Sequence, residues 1–324
     1  MTNTKTDKRI DKRLVRNSIE WIGGNQIKVI PPANPYRITG TWLAAVTGED
    51  QYRTPFEAFL SMTRTYDKPF TGNKYTNAGK HIEPKQISYA ETNLRDGYSI
   101  VRPTDIYGPD PFHATWGNFF QDDTFGGMWD ALVKRGEDTT HVIECKTAYD
   151  RTKWKTGAPE NYRLQAGMYA ALLGCDHFCL VASFLTQGDY NCPDAYVCTP
   201  ENTSYYGYSI QRDMPWLPGM MDSARGWYQR HVRTGISPVY DEVADGALLT
   251  VLREVDMPTH WPRIDAMDCV SIPRIFSEIH DGDPASVSRS YNLWMHRLLR
   301  ERGYSKSSTK RNAGQYGEQY VWTR

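Results

Sequence analysis

The sequence lacks any apolar run long enough to cross a membrane, because no stretch approaches the roughly 18 apolar residues that a spanning helix needs. It also lacks a signal-peptide core, since the polar opening, residues 1–9, is followed by no apolar segment. Hydrophobic residues make up 40% and charged residues 23% of its 324 residues, which is ordinary for a globular protein. We therefore expect a cytoplasmic protein with no membrane partner.

Net charge is also missing, because 38 Lys and Arg residues balance 38 Asp and Glu residues. The distribution is nevertheless uneven: residues 1–16 carry a balance of +4 and residues 286–324 a balance of +6, so the middle totals −10. Basic ends fit contacts with phosphates. For residues 1–16 we favour the simpler explanation, a solvated tail.

The middle of the chain predicts a β-hairpin, because apolar-rich runs at 127–133 and 141–146 flank a polar turn that contains Gly136. With the turn centred on Glu137, residues whose numbers sum to 274 face each other, which places Asp130 opposite Glu144. Opposed side chains lie about 5 Å apart, where like charges repel and call for a compensating cation. Strand alternation puts Lys146 on the face of Glu144 and turns Cys145 away.

Two interpretations of these carboxylates stay open. They could bind Mg²⁺ or Mn²⁺, which prefer oxygen ligands, or they could form a solvated cross-strand charge pair. The Glu-x-Lys triplet at 144–146 decides nothing alone, since the chain holds a second one at 83–85. The hairpin, the opposed Asp130 and the helix that follows are what favour a metal site.

That helix is predicted over residues 161–174 by its periodicity and by the Gly that ends it. Gln165 and Tyr169 are four residues apart and share one face. Arg163 either reaches the same neighbourhood or points to solvent. The alternative is that Tyr169 belongs to the core and Gln165 is a bystander.

Together these residues resemble the PD-(D/E)XK nuclease superfamily, with an acid, a Glu-x-Lys triplet on paired strands and a Gln-x-x-x-Tyr helix typical of its RecB-like branch. Further segments look like the YqaJ-type viral recombinases and phage lambda-type exonucleases, in family order: residues 36–48, 52–59, 79–89 and 222–238. The resemblance implies an α/β (α+β) fold with a restriction-endonuclease-like core, in which helices flank a mixed central sheet.

The resemblance also implies a role for each matching residue. The metal ligands would be Glu83, Asp130, Glu144 and the backbone carbonyl of Cys145, binding Mg²⁺ or Mn²⁺, with two ions expected. Lys146 would orient or deprotonate the attacking water, and Gln165 would support the site with Tyr169 beside it. Thus Asp130, Glu144, Lys146, Gln165 and Tyr169 form the predicted catalytic set.

Recognition of the DNA end is less regular. Thr41 would lie near the 5′ end or its phosphate. The family usually carries an Arg where this chain has Asn34, and Arg37 stands nearby. A second, smaller departure is Ala131, where a Gly usually follows the acid. Arg37, Thr41 and Arg163 are the predicted DNA contacts in this part of the chain.

By this resemblance the chain is a metal-dependent deoxyribonuclease, an exonuclease acting 5′→3′ on duplex ends in phage-type recombination or end processing. Its expected partners are DNA, a single-strand annealing protein and further copies of itself, in the cytoplasm of a bacterial host or phage-infected cell. The alternatives are an endonuclease or a defence or CRISPR-adaptation-type nuclease with the same centre, and, less favoured, a non-catalytic protein that binds DNA ends.

Six cysteines raise the possibility of an iron–sulfur cluster, which some RecB-like nucleases hold with one cysteine far upstream and a C-terminal trio. No cysteine precedes Cys145 here, and Cys179 falls in a predicted buried strand. Free cysteines are commonly small buried hydrophobes, and cytosolic chains rarely form disulfides. We expect no cluster.

Three regions are predicted: an N-terminal arm (1–35), the nuclease domain (36–240) and a C-terminal basic accessory module (246–324). In the module, an amphipathic helix at 291–304 precedes a polar segment and a strand at 319–323, which suggests a winged-helix-like DNA-binding fold. A helical cap or an oligomer contact is the alternative. Its predicted DNA contacts are Arg297, Arg300, Lys306, Lys310 and Arg311.

Elsewhere, local patterns predict further elements. They are two short helices within 36–63, a loop over 67–80, a helix over 83–95, strands at 99–103, 177–185, 195–199 and 205–210, and a helix over 219–234.

Overall fold

The computed structural model of the chain describes residues 15–66, 72–280, 282–287 and 289–324. The predicted basic tail at 1–16 therefore lies almost entirely outside the described residues, as does the 67–71 part of the predicted loop. The chain divides into two compact units: residues 37–50 with 69–228, and residues 1–36 with 51–68 and 229–324.

The secondary structure is mixed. The strands are β1 (Ile19–Ile22), β2 (Gln26–Val29), β3 (Ser99–Val101), β4 (Ala131–Arg135), β5 (Asp138–Ala148), β6 (His177–Phe184), β7 (Thr203–Ser209), β8 (Ser305–Asn312) and β9 (Glu318–Thr323). The α-helices are α1 (Leu43–Thr47), α2 (Pro55–Met62), α3 (Lys74–Thr92), α4 (Pro103–Tyr107), α5 (Pro111–Thr115), α6 (Glu160–Leu172), α7 (Gln187–Asn191), α8 (Ile210–Asp213), α9 (Leu217–His231), α10 (Gly246–Asp265), α11 (Ile272–His280) and α12 (Arg289–Glu301).

The unit that contains residues 69–228 is built on a five-stranded sheet in the order β3-β4-β5-β6-β7. β5 and β6 run parallel and the other neighbours antiparallel, so the sheet is mixed. Helix α3 covers one face, where Ile87 and Ala90 pack against Ile143 and Val181. Helix α6 covers the other face, where Gln165 reaches Glu144. The predicted α/β fold with a mixed sheet flanked by helices is confirmed.

The hairpin of β4 and β5 has the predicted register near its open end. Ala131 pairs with Ile143 and Leu132 with Val142, so the paired numbers sum to 274 as predicted. A bulge after Val133 shifts the pairing by one residue, which moves the turn to Gly136-Glu137. The bulge lies on the turn side, so the register toward Asp130 and Glu144 is unaffected.

Helix α3 begins earlier than predicted. Asn73 accepts hydrogen bonds from the N–H groups of Tyr75 and Thr76 while Thr76 reaches back to the Asn73 backbone, so a capping box starts the helix. The predicted loop is therefore wrong from Lys74 onward, and the predicted start at residue 83 is wrong as well. Pro84 lies inside the helix. The earlier start places Glu83 in the middle of a long helix.

The strand predicted at 195–199 is also wrong. Its backbone carbonyls are taken by side chains: Lys85 Nζ donates to Tyr196 O at 2.9 Å, and Asn202 Nδ2 donates to Val197 O at 2.9 Å. A 3-10 turn at Pro193–Ala195 precedes this irregular segment. Carbonyls bonded to side chains are not available to a strand partner.

The other unit contains the C-terminal part of the chain, with its own apolar core. Helices α10, α11 and α12 surround Phe276, Tyr291, Trp294 and Met295, and the β8-β9 hairpin adds Trp322. The helix predicted at 291–304 and the strand predicted at 319–323 correspond to α12 and β9, whereas the segment predicted to be polar contains a further strand, β8. The winged-helix-like DNA-binding fold stays a prediction. The predicted domain boundaries at 35, 240 and 246 stay a prediction. Among the described residues, no helix is long and apolar enough to cross a membrane.

Candidate active site

The predicted catalytic side chains all come from the unit that contains the five-stranded sheet. Asp130 directly precedes β4, Glu144 and Lys146 lie on β5, and a turn of α6 carries Gln165 and Tyr169. Glu83 projects from α3. The hairpin register and the alternation along β5 thus place the acids and the lysine at one end of the sheet.

Glu144 is the centre of the cluster. Its Oε1 accepts hydrogen bonds from Lys146 Nζ at 2.5 Å and from Gln165 Nε2 at 2.6 Å. Lys146 Nζ also donates to Gln165 Oε1 at 3.2 Å, which closes a triangle. Its other oxygen, Oε2, is buried and has no hydrogen-bond partner within the described part of the chain. Because an unpaired buried carboxylate oxygen is unfavourable, this atom is suited to a bound cation.

Asp130 is fixed by the backbone of the opposite strand, since Cys145 N donates to its Oδ2 at 2.7 Å. The Cys145 thiol packs with the apolar residues under α3. The Cys145 side chain thus points to the sheet face under α3, away from Glu144, as the predicted strand alternation requires. The Cys145 carbonyl as a metal ligand stays a prediction.

The carboxyl groups repel one another in a buried site. Burial, helped by the charge of Asp130, raises the pKa of Glu144 to about 8, although Lys146 lowers it. Burial and Asp130 likewise raise the pKa of Glu83 to about 8. Burial also raises the pKa of Asp130. A further cation near these carboxyl groups would favour their ionised form at neutral pH.

Among the described residues, Lys146 is the cation that acts on all three carboxyl groups, those of Glu83, Asp130 and Glu144. Burial alone would lower the pKa of Lys146, but the charges of Glu144 and Asp130 raise it above its ordinary value. Its ammonium also lies 5.3 Å from the ring centroid of Tyr162, which stacks on Trp154 at 5.6 Å. The sequence reasoning missed Tyr162, whose signal is its position three residues before Gln165 on the same helix face.

Metal binding fits this donor set. In the ranges that the structure describes, no group of three or more His, Cys, Asp and Glu side chains is already arranged around a metal position. Mg²⁺, however, needs only one or two carboxylates, and waters and substrate phosphates complete its shell. The unpaired Oε2 of Glu144, close to Asp130 and Glu83, meets that requirement. The identity and number of ions stay a prediction.

Two glycines that sequence reasoning did not single out keep the site compact. A Cβ on Gly40 would lie 2.6 Å from Gln165 Cα, and one on Gly127 would lie 2.4 Å from the Tyr169 hydroxyl. Gly127 also has a φ of 134°, a backbone conformation that favours glycine. The sequence signal for Gly40 is its place next to Thr41 in the segment 36–48. The signal for Gly127 is its place three residues before Asp130 in the run 127–133.

Tyr169 is a core residue that also contacts Gln165, so it combines the two alternatives that the sequence left open for it. Its side chain is 3% exposed. Its hydroxyl is hydrogen-bonded to the Gln165 side chain and to the backbone of Met128, and burial raises its pKa above the ordinary range. Tyr169 therefore links Gln165 to the segment that leads into Asp130.

The predicted DNA contacts of this unit divide into two groups. Thr41 lies next to Gly40, which is packed on Gln165, and its hydroxyl is 2.9 Å from that of Thr39. A Cβ on Gly126 would lie 3.1 Å from Arg37 Cβ, so Arg37 is beside the segment that leads to Asp130. The Arg163 guanidinium instead lies 5.7 Å from the ring centroid of Tyr208 on β7, and the structure does not bring it to the carboxylates.

The predicted DNA contacts of the other unit lie on α12 and β8. Arg297 is paired with Glu254 and Glu301, and the Lys306 ammonium lies 4.1 Å from the ring centroid of Tyr320. All five residues of the set are exposed, and Arg300, Lys310 and Arg311 extend the basic surface beyond these two. Their contact with DNA stays a prediction.

Residues 32–176 match the family model of the YqaJ-like viral recombinase domain. The match covers the segment with Thr41, the helix with Glu83, the hairpin and the helix with Gln165. The resemblance that the sequence motifs suggest is confirmed.

Two similar proteins come from mycoplasmas. The chain is 25% identical over 247 residues to the uncharacterized protein MG373 of Mycoplasma genitalium, covering 64% of this chain and 84% of that protein. It is 24% identical over 243 residues to the MG373 homolog of Mycoplasma pneumoniae, covering 62% and 83%.

Solved structures that are similar to the chain include exonucleases. A phage-related exonuclease from Haemophilus somnus 129PT is 15% identical, with a TM-score of 0.41, covering 61% of this chain and 96% of that chain. The alkaline exonuclease LHK-Exo from Laribacter hongkongensis is 16% identical, with a TM-score of 0.40, covering 70% and 96%. LHK-Exo is also solved in complex with dAMP, at 16% identity and a TM-score of 0.40, covering 68% and 94%.

Proposed function

Because residues 32–176 carry a YqaJ-like viral recombinase domain, we propose that the chain is a metal-dependent DNA exonuclease that hydrolyses phosphodiester bonds at duplex ends. The observation that carries the proposal is the environment of Glu144. One of its oxygens binds Lys146 and Gln165, and the other is buried and unpaired next to Asp130 and Glu83. A simple structural ion pair does not need this surplus of buried carboxylates.

The acids Glu83, Asp130 and Glu144 would hold Mg²⁺ or Mn²⁺, which lowers the pKa of a bound water and stabilises charge on the scissile phosphate. The chain itself contributes position. Gln165 and Lys146 fix the Glu144 carboxylate, while Cys145 N fixes Asp130. Since its neighbours keep the Lys146 pKa high, Lys146 acts as a hydrogen-bond donor that orients the attacking water or the phosphate.

We extend the proposal to the biological role that the domain suggests. The exonuclease would act 5′→3′ and leave single strands for an annealing partner in phage-type recombination or end processing. It would work as a homo-oligomer in a bacterial or phage-infected cell. Thr41 and Arg37, which lie beside the site, would contact the DNA end.

Digestion of linear duplexes tests activity, polarity and end dependence together. The duplexes carry a label at either the 5′ or the 3′ end and are incubated with Mg²⁺ beside a closed circle. The proposal predicts early release of the 5′ label, loss of activity in EDTA and an intact circle. A cut circle would favour the endonuclease alternative, and binding without cleavage under any divalent metal would favour the end-binding alternative.

A further inference from the structure

A small aromatic lobe lies beside the candidate site and has no role in it. The lobe comprises residues 103–119, with α4 and α5, and it connects β3 to β4. At its base, Phe119 stacks on Tyr107 at 4.5 Å and packs against Trp129 at 5.0 Å. Phe119 N also donates to Gly127 O at 2.9 Å. Because Trp129 directly precedes Asp130, the lobe is anchored on the segment that carries a catalytic acid.

The outer surface of the lobe is apolar. Trp116 is 86% exposed, Phe112 56% and Ile106 51%. Single exposed apolar residues are common, but three large ones within eleven positions of one small lobe are not, and clusters of exposed apolar side chains mark binding surfaces.

Trp116 is held in an unusual backbone conformation. It ends α5 with φ 54° and ψ 39°, the left-handed region in which helices usually end on Gly or Asn. A bulky side chain rarely adopts this conformation, and such strain concentrates at functional sites. Gly117 follows with φ 72°, and a Cβ there would lie 2.9 Å from the Phe112 ring. The turn therefore brings the Phe112 ring against Gly117, while Trp116 projects into solvent.

The charged residues of the lobe favour a nucleobase over a phosphate as its ligand. No Lys or Arg occurs between residues 103 and 126. The carboxylates of Asp105 and Asp110 cap α4 and α5 by accepting hydrogen bonds from Arg102 N and His113 N. A phosphate would find no lysine or arginine in the lobe, and it would meet two carboxylates, one of them already paired with His113. A nucleobase, in contrast, offers a flat apolar face on which aromatic side chains stack.

The geometry points to Trp116 as a stacking platform for a nucleobase next to the cleavage site. The inference rests on the proposed function, which brings DNA to Asp130. Trp116 is three residues from Phe119, so its Cα lies at most about 11 Å from the anchored base of the lobe. Bases along a strand are about 3.4 Å apart. Trp116 could therefore contact a base that lies a few nucleotides from the scissile phosphate.

Three variants of the full-length protein test this inference. Trp116→Ala removes the platform, Trp116→Phe keeps an aromatic ring, and Trp216→Ala serves as the control because Trp216 is another exposed tryptophan of the same unit, 42% exposed. At limiting DNA, we expect Trp116→Ala to cleave duplex ends on the order of tenfold more slowly, in line with the loss of one stacked base. Trp116→Phe should stay within about threefold of the wild type, and Trp216→Ala should be unchanged.

A binding readout separates stacking from a structural role. In a Lys146→Ala background, duplexes with 2-aminopurine at successive positions from the 5′ end are mixed with the protein. We expect a fluorescence change at one or two positions that disappears with Trp116→Ala. The melting temperature of Trp116→Gly should equal or exceed that of the wild type, because glycine relieves the strained turn.

The outcomes are distinct. If the wild type cleaves DNA and Trp116→Ala cleaves and binds equally well, the platform is refuted while the proposed nuclease stands, and the patch is left to a protein contact. If the wild type neither cleaves nor binds DNA, the proposed function and the platform fall together.

Discussion

The two Glu-x-Lys triplets of this chain have the same first and last residues, but their lysine side chains have different partners. In β5, Glu144 and Lys146 lie on one face because side chains alternate along a strand, so the lysine donates to the glutamate. In α3, Glu83 and Lys85 are about 200° apart around the helix axis and diverge. Glu83 reaches Asp130, whereas Lys85 leaves the site.

Lys85 serves the fold. Its ammonium donates to the backbone carbonyls of Pro193, Asp194 and Tyr196 at 3.1, 2.5 and 2.9 Å. It thereby fixes the irregular segment that follows α7. The secondary structure that carries a short motif therefore decides which of its side chains lie close enough to interact. The comparison also separates two measurable quantities, activity for Lys146 and stability for Lys85.

The largest expected effect is on catalysis. Lys146→Ala should lower the initial rate of duplex digestion with Mg²⁺ by about 10² to 10⁴-fold, the range for a residue that positions or transfers a proton, while circular dichroism shows a folded protein. Lys85→Ala should keep the rate within about twofold. Full activity of folded Lys146→Ala would contradict the assignment, and an equal loss in Lys85→Ala would erase the contrast.

The next effect comes from the packing around Tyr169. Gly127→Ala places a Cβ 2.4 Å from the Tyr169 hydroxyl, so we expect Tyr169 or the segment that leads to Asp130 to shift. A displacement of about 1 Å can lower a rate on the order of 10²-fold, which steady-state cleavage would measure. Gly136→Ala is the matched control, because Gly136 also has positive φ, 61°, but a Cβ there meets nothing within 4 Å. Equal rates in the two variants would argue against a tight site.

A smaller effect should appear in stability against pH. The raised pKa of Glu144, about 8, means that the folded chain keeps a proton that the unfolded chain has released. Stability in EDTA should therefore fall as pH rises from about 4.5 to 8, by up to about 1.4 kcal/mol per pH unit for each such proton. Thermal melting measures this, and Mg²⁺ should reverse the loss above pH 7.

Glu144→Gln provides the control for the pH profile, because the amide keeps the shape and loses the titration. Its melting temperature in EDTA should vary less with pH than that of the wild type. A wild-type profile that rises between pH 6 and 8 in EDTA would contradict the crowding of carboxylates described for this site.

The smallest effect concerns the second triplet. Lys85→Ala should lower the free energy of unfolding in urea by about 1 kcal/mol, because hydrogen bonds to a charged group are lost at a partly exposed position. Lys134→Ala, a lysine on β4 with none of these carbonyl contacts, is the control. Unchanged stability in Lys85→Ala would mean that the segment after α7 is held by Asn202 and its apolar contacts alone.

The sequence predicts much of the site because its signals are local. The hairpin register follows from the turn position and places Asp130 opposite Glu144, and the helix spacing aligns Gln165 with Tyr169. The contribution of Glu83 comes instead from the family resemblance, since no local rule brings α3 to the end of β5.

Other parts escaped prediction for identifiable reasons. The composition of residues 72–80 indicates a loop, but the capping box at Asn73 overrides it. The segment at 195–199 has strand-forming residues, yet Lys85 and Asn202 bind its carbonyls from a distance in sequence. Long-range hydrogen bonds of this kind leave no periodic signal. Likewise, nothing local marks Trp116 as the end of a helix.

Binding of Mn²⁺ in the absence of DNA shows whether Glu83, Asp130 and Glu144 form a metal site. Full-length protein without DNA is titrated with Mn²⁺, and the free ion is followed by its paramagnetic resonance signal. We expect the wild type to bind, Glu144→Gln and Glu83→Gln to bind at least about tenfold more weakly, and Glu91→Gln, a second glutamate of α3, to match the wild type. Wild-type protein that binds no Mn²⁺, or equal binding by all four proteins, would contradict a metal site built on Glu83, Asp130 and Glu144.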